Sequence, residues 1–182
     1  MTLVADTVVK VRAVEPDDIR EVCDLVAQHN GEAGPSPNRP NPRTLKSLVF
    51  GRNSFVFCEV AEDQILSRGS RSSRHAGKID GAPLIGHAIW HDCFSTDDGS
   101  RGGYLVDLFV VSGRRREGVA TQLIKTVCRK VKARGGTHLW WATMPKNASA
   151  RRFYAQFGAS DDRAHAHAIY GETFLDIAKA DG

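Results

Sequence analysis

A chain of 182 residues, 41% of them hydrophobic, can bury one sizeable core, and a single domain is expected. Its 25 Lys and Arg against 21 Asp and Glu leave a net charge of +4, too modest to demand a nucleic acid but compatible with a local basic patch. The scattered cysteines Cys23, Cys58, Cys93 and Cys128 have no metal or redox spacing, and neither a signal peptide nor a membrane-spanning run is read, so a soluble cytoplasmic protein with reduced thiols is expected.

The alternation in TVVKVRAV predicts a strand over about 8–14. Pro16, followed by Asp17 and Asp18, suits the first turn of a helix whose face is Ile19, Val22, Cys23 and Val26. HNGEAGPSPNRPNP reads as a turn-rich loop, RTLKSLVF as a short helix closed by Gly51, and SFVFCEVAE as a strand. The polar, aperiodic stretch DQILSRGSRSSRHAGKIDGAP reads as a mobile hairpin insertion over 62–82. Its Arg68, Arg71, Arg74 and Lys78 are either phosphate contacts or solvated charges. Strands PLIGHAIWHDCF and GYLVDLFVV follow, then a helix to about residue 133, then the strand THLWWATM. Asn147 is placed to cap the helix ASARRFYAQF, which Gly158 stops. One more strand and a short terminal element are expected over about 164–177. The order β-α-α-β-β-β-α-β-α-β predicts a mixed α/β sheet with a strand–helix–strand crossover.

The stretch SGRRREGVATQLI poses a local conflict. Val119, Leu123, Ile124, Val127, Cys128 and Val131 follow helical spacing, so a helix begins near Glu117 or Gly118 with Arg114, Arg115 and Arg116 at its positive end. Two readings stand. A tight turn with free N–H groups, opened by Gly118, can hold a diphosphate, which the arginines would then face. Alternatively, the arginines are a basic surface turn on an ordinary helix. There is no Gly-Lys-Ser/Thr and no G-x-G-x-x-G, so neither a P-loop nor a dinucleotide fingerprint is present.

Arg115 to Ala120 resembles the acetyl-CoA signature Q/R-x-x-G-x-G/A of the GNAT N-acetyltransferase superfamily, set between the apolar strand YLVDLFVV and an amphipathic helix. Downstream, NASARRFYAQFGA resembles the family's N-x-x-A-x-x-x-Y-x-x-x-G pattern, with Asn147, Ala150, Tyr154 and Gly158 in place. VRAVEPDDIREVCDLV resembles the family's opening strand and helix. IGHAIWHDCFST and GYLVDLFV resemble the central strands of the diamine (spermidine/spermine-type) branch. The resemblance covers nearly the whole chain except the insertion.

It implies an α/β fold with one central mixed, mostly antiparallel sheet flanked by helices. It also implies acetyl-CoA as co-substrate and N-acetylation of an amine by direct attack in a ternary complex. On that basis Arg115, Arg116, Glu117, Gly118, Val119, Ala120 and Thr121 hold the diphosphate, and Leu108, Phe109 and Val110 lie along the pantetheine arm. Asn147 and Ala150 belong to the second motif, and Tyr154 matches the family's general acid, a phenol able to protonate a departing thiolate.

The acceptor side is less defined. The diamine branch has YLED where this chain has YLVD, so Val106 stands in place of a glutamate that serves the substrate amine. Glu32, His87, His91 and Asp92 are further candidates for amine contact, and Trp140 and Trp141 face opposite ways on their strand, one for the core and one for an aromatic wall. Arg116 stands where many members have glycine. His165 and His167 lack a third ligand, and no metal is read. A small-molecule amine, polyamine-like, is the first expectation for substrate, with a homodimer as the assembly. The alternatives are a protein or peptide amine, a non-catalytic acyl-CoA-binding domain, and nucleic-acid binding, which the modest charge disfavours.

Overall fold

The computed structural model describes residues 7–33, 39–65, 82–162 and 164–179. The chain forms two compact units, Met1–Ala142 and Thr143–Gly182. The first holds a sheet of β1 (Thr7–Ala13), β2 (Val56–Ile65), β3 (Leu84–Phe94), β4 (Arg101–Val110) and β5 (His138–Trp140), side by side in chain order. β1 to β4 pair antiparallel and β5 joins β4 in parallel, the mixed, mostly antiparallel sheet expected. A parallel neighbour needs a crossover, and α3 (Val119–Ala133) supplies it.

Helices cover both faces. On one side, α1 (Ile19–Ala33) and α2 (Pro42–Phe50) bury Val22, Cys23, Leu25, Val26 and Leu45 against Cys58, Ile89 and Phe109. On the other, the apolar stripe of α3 packs Leu123, Val127 and Val131 against Ala88, Trp90 and Leu105. Leu123 is fully buried, so its truncation to alanine is expected to cost about 2–5 kcal/mol.

The first helix differs from expectation at both ends. Asp18 accepts two hydrogen bonds from Arg12, at 2.6 and 3.1 Å, and one from the Glu15 N–H at 2.7 Å. That carboxylate ties a turn to β1, so residues 16–18 stay outside the helix and Pro16 is not its first residue. At the far end α1 runs through Ala33 rather than yielding to a loop after His29, because side chains of its last turns are anchored to β4 and to the turn before α3. β2 likewise reaches Ile65, so residues 62–65 of the expected insertion pair with β1. Residues 66–81, with Arg68, Arg71, Arg74 and Lys78, lie outside the described residues. β5 is limited to three residues, shorter than the strand expected over 137–144.

In the second unit, α4 (Ala148–Ala155) is capped by Asn147, whose side chain accepts from the Ala150 N–H at 3.1 Å. The tail forms no strand among its described residues. It forms α5 (Gly171–Lys179), with Glu172 in the first turn and Lys179 in the last, the arrangement the helix dipole favours.

Candidate functional site

β4 and β5 pair only at Gly102↔His138, Gly103↔Leu139 and Tyr104↔Trp140, while β4 runs on through Val110. One edge of Leu105–Val110 is therefore left open where the two strands part. The Val111 N–H donates to the Ile85 carbonyl at 3.0 Å, so Gly86 and Val110 face each other without bonding. Antiparallel alternation then turns the N–H groups of Leu108 and Val110 to the open edge and those of Phe109 to β3.

Register shifts between Ile89 and Trp90: Ile89 pairs with Asp107, but Trp90 pairs with Leu105. Val106 is the extra residue, a β-bulge, and it is exposed. The bulge resets which face each residue takes. Leu105 packs under α3, whereas Asp107 and Phe109 turn toward α1.

The open edge leads into the arginine turn. Arg116 has φ +67° and Gly118 φ +81°, two left-handed residues within three positions. Nothing lies within 4 Å of a Cβ built at Gly118, so glycine there serves the backbone angle rather than space. α3 makes its first main-chain bond from Gln122 N–H to the Gly118 carbonyl, and the N–H groups of residues 116–121 find no acceptor among the described residues. They form a run of donors at the positive end of a helix.

The arginines answer the conflict seen in the sequence. Arg114 pairs with Asp63 on β2 and with Glu117 at 2.7 Å. Arg115 donates to the Val110 carbonyl at 2.8 Å, reaches Glu32 at 2.5 Å, and lies 5.5 Å over the Phe109 ring. Carboxylates brought in by α1 and β2 thus offset two of the three charges. Arg116 is exposed and has no ion-pair partner among the described residues.

Beside this turn lies a group that the sequence did not assemble. Asp107 accepts from His29 Nδ1 at 2.5 Å and from His87 Nε2 at 2.8 Å, one carboxylate oxygen to each ring. His87 is fully buried and its Nδ1 has no partner among the described residues. His29 is about one third exposed and stacks on Phe109, ring centroids 5.3 Å apart. Burial pushes the Asp107 carboxyl up, but the bonds from His29 and His87 outweigh it and hold the group well below the usual carboxylate range. Asp107 in turn raises His29 above an ordinary imidazole, against burial and the Arg115 charge.

Several expected acceptor contacts are engaged elsewhere. The Asp92 carboxylate is bound by Arg134, one contact being 2.9 Å, and is lowered by it. His91 Nδ1 lies 2.8 Å from the Asp92 carbonyl, and its ring stacks on Tyr104. Trp141 packs against the α3 side of the core, while Trp140 is exposed with its ring 4.6 Å from His138. In the second unit Tyr154 is half-buried, its ring 5.3 Å from Phe153. His165 and His167 are exposed on irregular chain, not on a strand, and no cluster of three metal-ligating side chains occurs among the described residues.

Of the residues picked from sequence, the structure gathers Glu32, His87, Phe109 and Arg115 around the His29–Asp107 pair. His29 was missed. Its signal is its spacing on α1, one turn beyond Val26 and two turns beyond Val22 on the buried face.

The model of the acetyltransferase (GNAT) family matches residues 48–159. A thialysine N-epsilon-acetyltransferase of Mus musculus is 30% identical over 117 residues, which are 64% of this chain and 63% of that enzyme. The chain thus spans just under two thirds of that relative's length. The Bos taurus enzyme of the same name is 29% identical over 74% of this chain and 75% of its own. Among solved structures, an integron cassette protein from the mobile metagenome of V. cholerae superposes with a TM-score of 0.68 at 22% identity, covering 94% of this chain and 98% of the other.

Proposed function

The chain belongs to the acetyltransferase (GNAT) family, and on that footing we propose that it moves the acetyl group of acetyl-CoA to a primary amine of a small molecule by direct attack in a ternary complex. One observation carries this reading: an open β4 edge, with the Leu108 and Val110 N–H groups turned outward, runs directly into a turn whose N–H groups lack acceptors among the described residues. The edge suits the amide-bearing pantetheine arm, and the turn suits its diphosphate.

In this reading the donors of Arg116–Thr121 hold the diphosphate, with the free Arg116 side chain adding charge. A β4 N–H polarises the thioester carbonyl as it becomes an oxyanion. Trp140 offers an exposed aromatic face to the amine. Asn147 and Ala150 set the start of the helix that carries Tyr154, and Tyr154 returns a proton to the departing thiolate. The two mammalian relatives are named for the ε-nitrogen of thialysine, which supports an aliphatic amine over a protein substrate. Val106 in place of a carboxylate supports a substrate other than a highly charged polyamine. Four free cysteines suit a reducing cytoplasm, no helix among the described residues is long and apolar enough to cross a membrane, and the diamine-type central strands favour a homodimer.

The test is CoA thiol release from acetyl-CoA against polyamines, amino acids and their analogues, aminoglycosides, arylamines and short peptides, with Tyr154→Phe alongside. Turnover on one small-amine class, lowered at least tenfold in the variant, is the expected result. Acetyl-CoA binding without turnover on any amine overturns the reading in favour of a binding domain, and turnover on peptides alone overturns the small-molecule assignment.

A further inference from the structure

We infer that His29 is the general base that takes the proton from the acceptor amine, with Asp107 as its positioning residue; this deepens the proposed function and rests on it. Acetyl transfer needs a neutral amine, and aliphatic amines are protonated at neutral pH. The glutamate that serves the amine in the diamine branch is absent, and its place is taken by the exposed Val106. His87 is fully buried, and Asp92 is bound by Arg134. His29 is placed differently. Its Nδ1 is committed to Asp107 at 2.5 Å, which fixes the tautomer and leaves the Nε2 lone pair with no partner among the described residues.

The geometry is that of an imidazole oriented by a half-buried carboxylate, the arrangement that prepares histidine for proton abstraction. Asp107 is adjacent on β4 to Leu108, whose N–H faces the open edge, so the base stands beside the strand expected to receive the thioester. Phe109 stacks under the imidazole and fixes its plane. The groups facing His29 are Asp107 on β4 and Glu32 on α1, which favour the imidazolium, and Arg115 in the turn, which opposes it. His87, on β3, holds the second oxygen of Asp107 and keeps the carboxylate in place.

The step balances as follows. The ammonium gives one proton to His29 Nε2, and the freed nitrogen lone pair attacks the thioester carbonyl carbon. The C–N bond forms and the C–S bond breaks, and the sulfur leaves with the bonding pair. The second proton on nitrogen passes to the thiolate, giving the acetamide and CoA thiol. His29 then returns its proton to water.

A structural role must be separated from a chemical one, because the same bond also ties the last turns of α1 to the sheet. His29→Asn serves this purpose, since its amide N–H can replace Nδ1 toward Asp107 while nothing replaces Nε2. The measurement is kcat and KM from pH 5.5 to 10 on the best amine found, with acetyl-CoA affinity and melting temperature as controls. We expect His29→Asn to keep acetyl-CoA affinity and melting temperature near wild type and to lose about 10²–10³-fold in kcat near neutral pH. The loss should shrink as pH rises and the amine sheds its own proton. In the wild type the acidic limb of kcat/KM should inflect above the ordinary histidine value, and Asp107→Asn should move it down. Wild-type turnover with an unaltered rate and pH profile in His29→Asn overturns this proposal alone. No wild-type turnover on any amine overturns the functional reading, and this proposal with it.

Discussion

Val106 and Asp107 are neighbours on β4, yet the first is 56% exposed and the second is locked between two histidines. The bulge at Val106 separates them: it turns one residue out to solvent and lets the next reach α1. Val106→Glu is therefore expected to leave stability within about 0.5 kcal/mol of wild type, as exposed substitutions do. A carboxylate at that position should favour amines bearing a second cation. An exposed ion pair is worth up to about 1 kcal/mol, so kcat/KM for diamines should rise about three- to fivefold relative to monoamines. Steady-state kinetics at two salt concentrations check this, and the preference should fade at the higher one.

Arg116 occupies a left-handed backbone position at φ +67° and makes no ion pair among the described residues. A side chain there strains the backbone, and glycine relieves the strain while adding freedom to the unfolded chain. Arg116→Gly is expected to stabilise the protein by about 0.5–1 kcal/mol, and a β-branched Arg116→Val to destabilise it by about 1–2 kcal/mol. Denaturant unfolding gives both numbers. The same Arg116→Gly variant should bind acetyl-CoA more weakly and with a shallower salt dependence, because it removes a free cation from the turn.

These two positions show what a sequence can and cannot disclose. The α3 stripe, the Gly118 turn and the Asn147 cap were legible because each rests on residues within one or two turns of each other. The bulge was not, because YLVDLFVV carries no mark of where one residue drops out of register with β3. His29 stood at the head of a segment rich in Asn, Gly and Pro, and local signals end the helix there. What carries α1 onward is contact with β4 and with Arg115, the latter 83 residues from Glu32. The partners of Arg114 and Arg115 were hidden for the same reason, since carboxylates on other elements resolve a conflict that looks unresolved locally. In the tail, the alternation AHAHAI suggested a strand, but the described residues there find no strand to pair with.

Glu32 holds Arg115 with both side chains roughly 40% exposed, so the pair itself contributes less than about 1 kcal/mol to stability. Its larger effect concerns the anion. While Glu32 occupies the guanidinium, Arg115 offers less charge to a diphosphate on the adjacent turn. Glu32→Gln is expected to tighten acetyl-CoA binding about two- to fivefold, and Arg115→Ala to weaken it about tenfold. Calorimetric titration distinguishes this from a direct role of Glu32 toward the amine. In that case Glu32→Gln would leave acetyl-CoA affinity unchanged and raise the KM of the acceptor.

Asp107 and His29 set opposite flanks of a pH–stability profile. The folded Asp107 lies below its unfolded value near 4, so its contribution is present above that pH and fades as pH falls beneath it. The folded His29 lies above its unfolded value near 6.5, so its contribution is complete below that pH and is lost as pH rises through the folded value. Both act in full between about pH 4 and pH 6.5, where the wild type should gain most from the pair. Asp107→Asn removes the charge while keeping the shape. It leaves His87, fully buried, facing a neutral amide. A loss of about 2–4 kcal/mol is expected in that window, smaller at pH 9 than at pH 5.5. Thermal unfolding across pH 4–9 checks the sign. A deficit that grew toward alkaline pH would mean that His29 does not draw its proton affinity from Asp107.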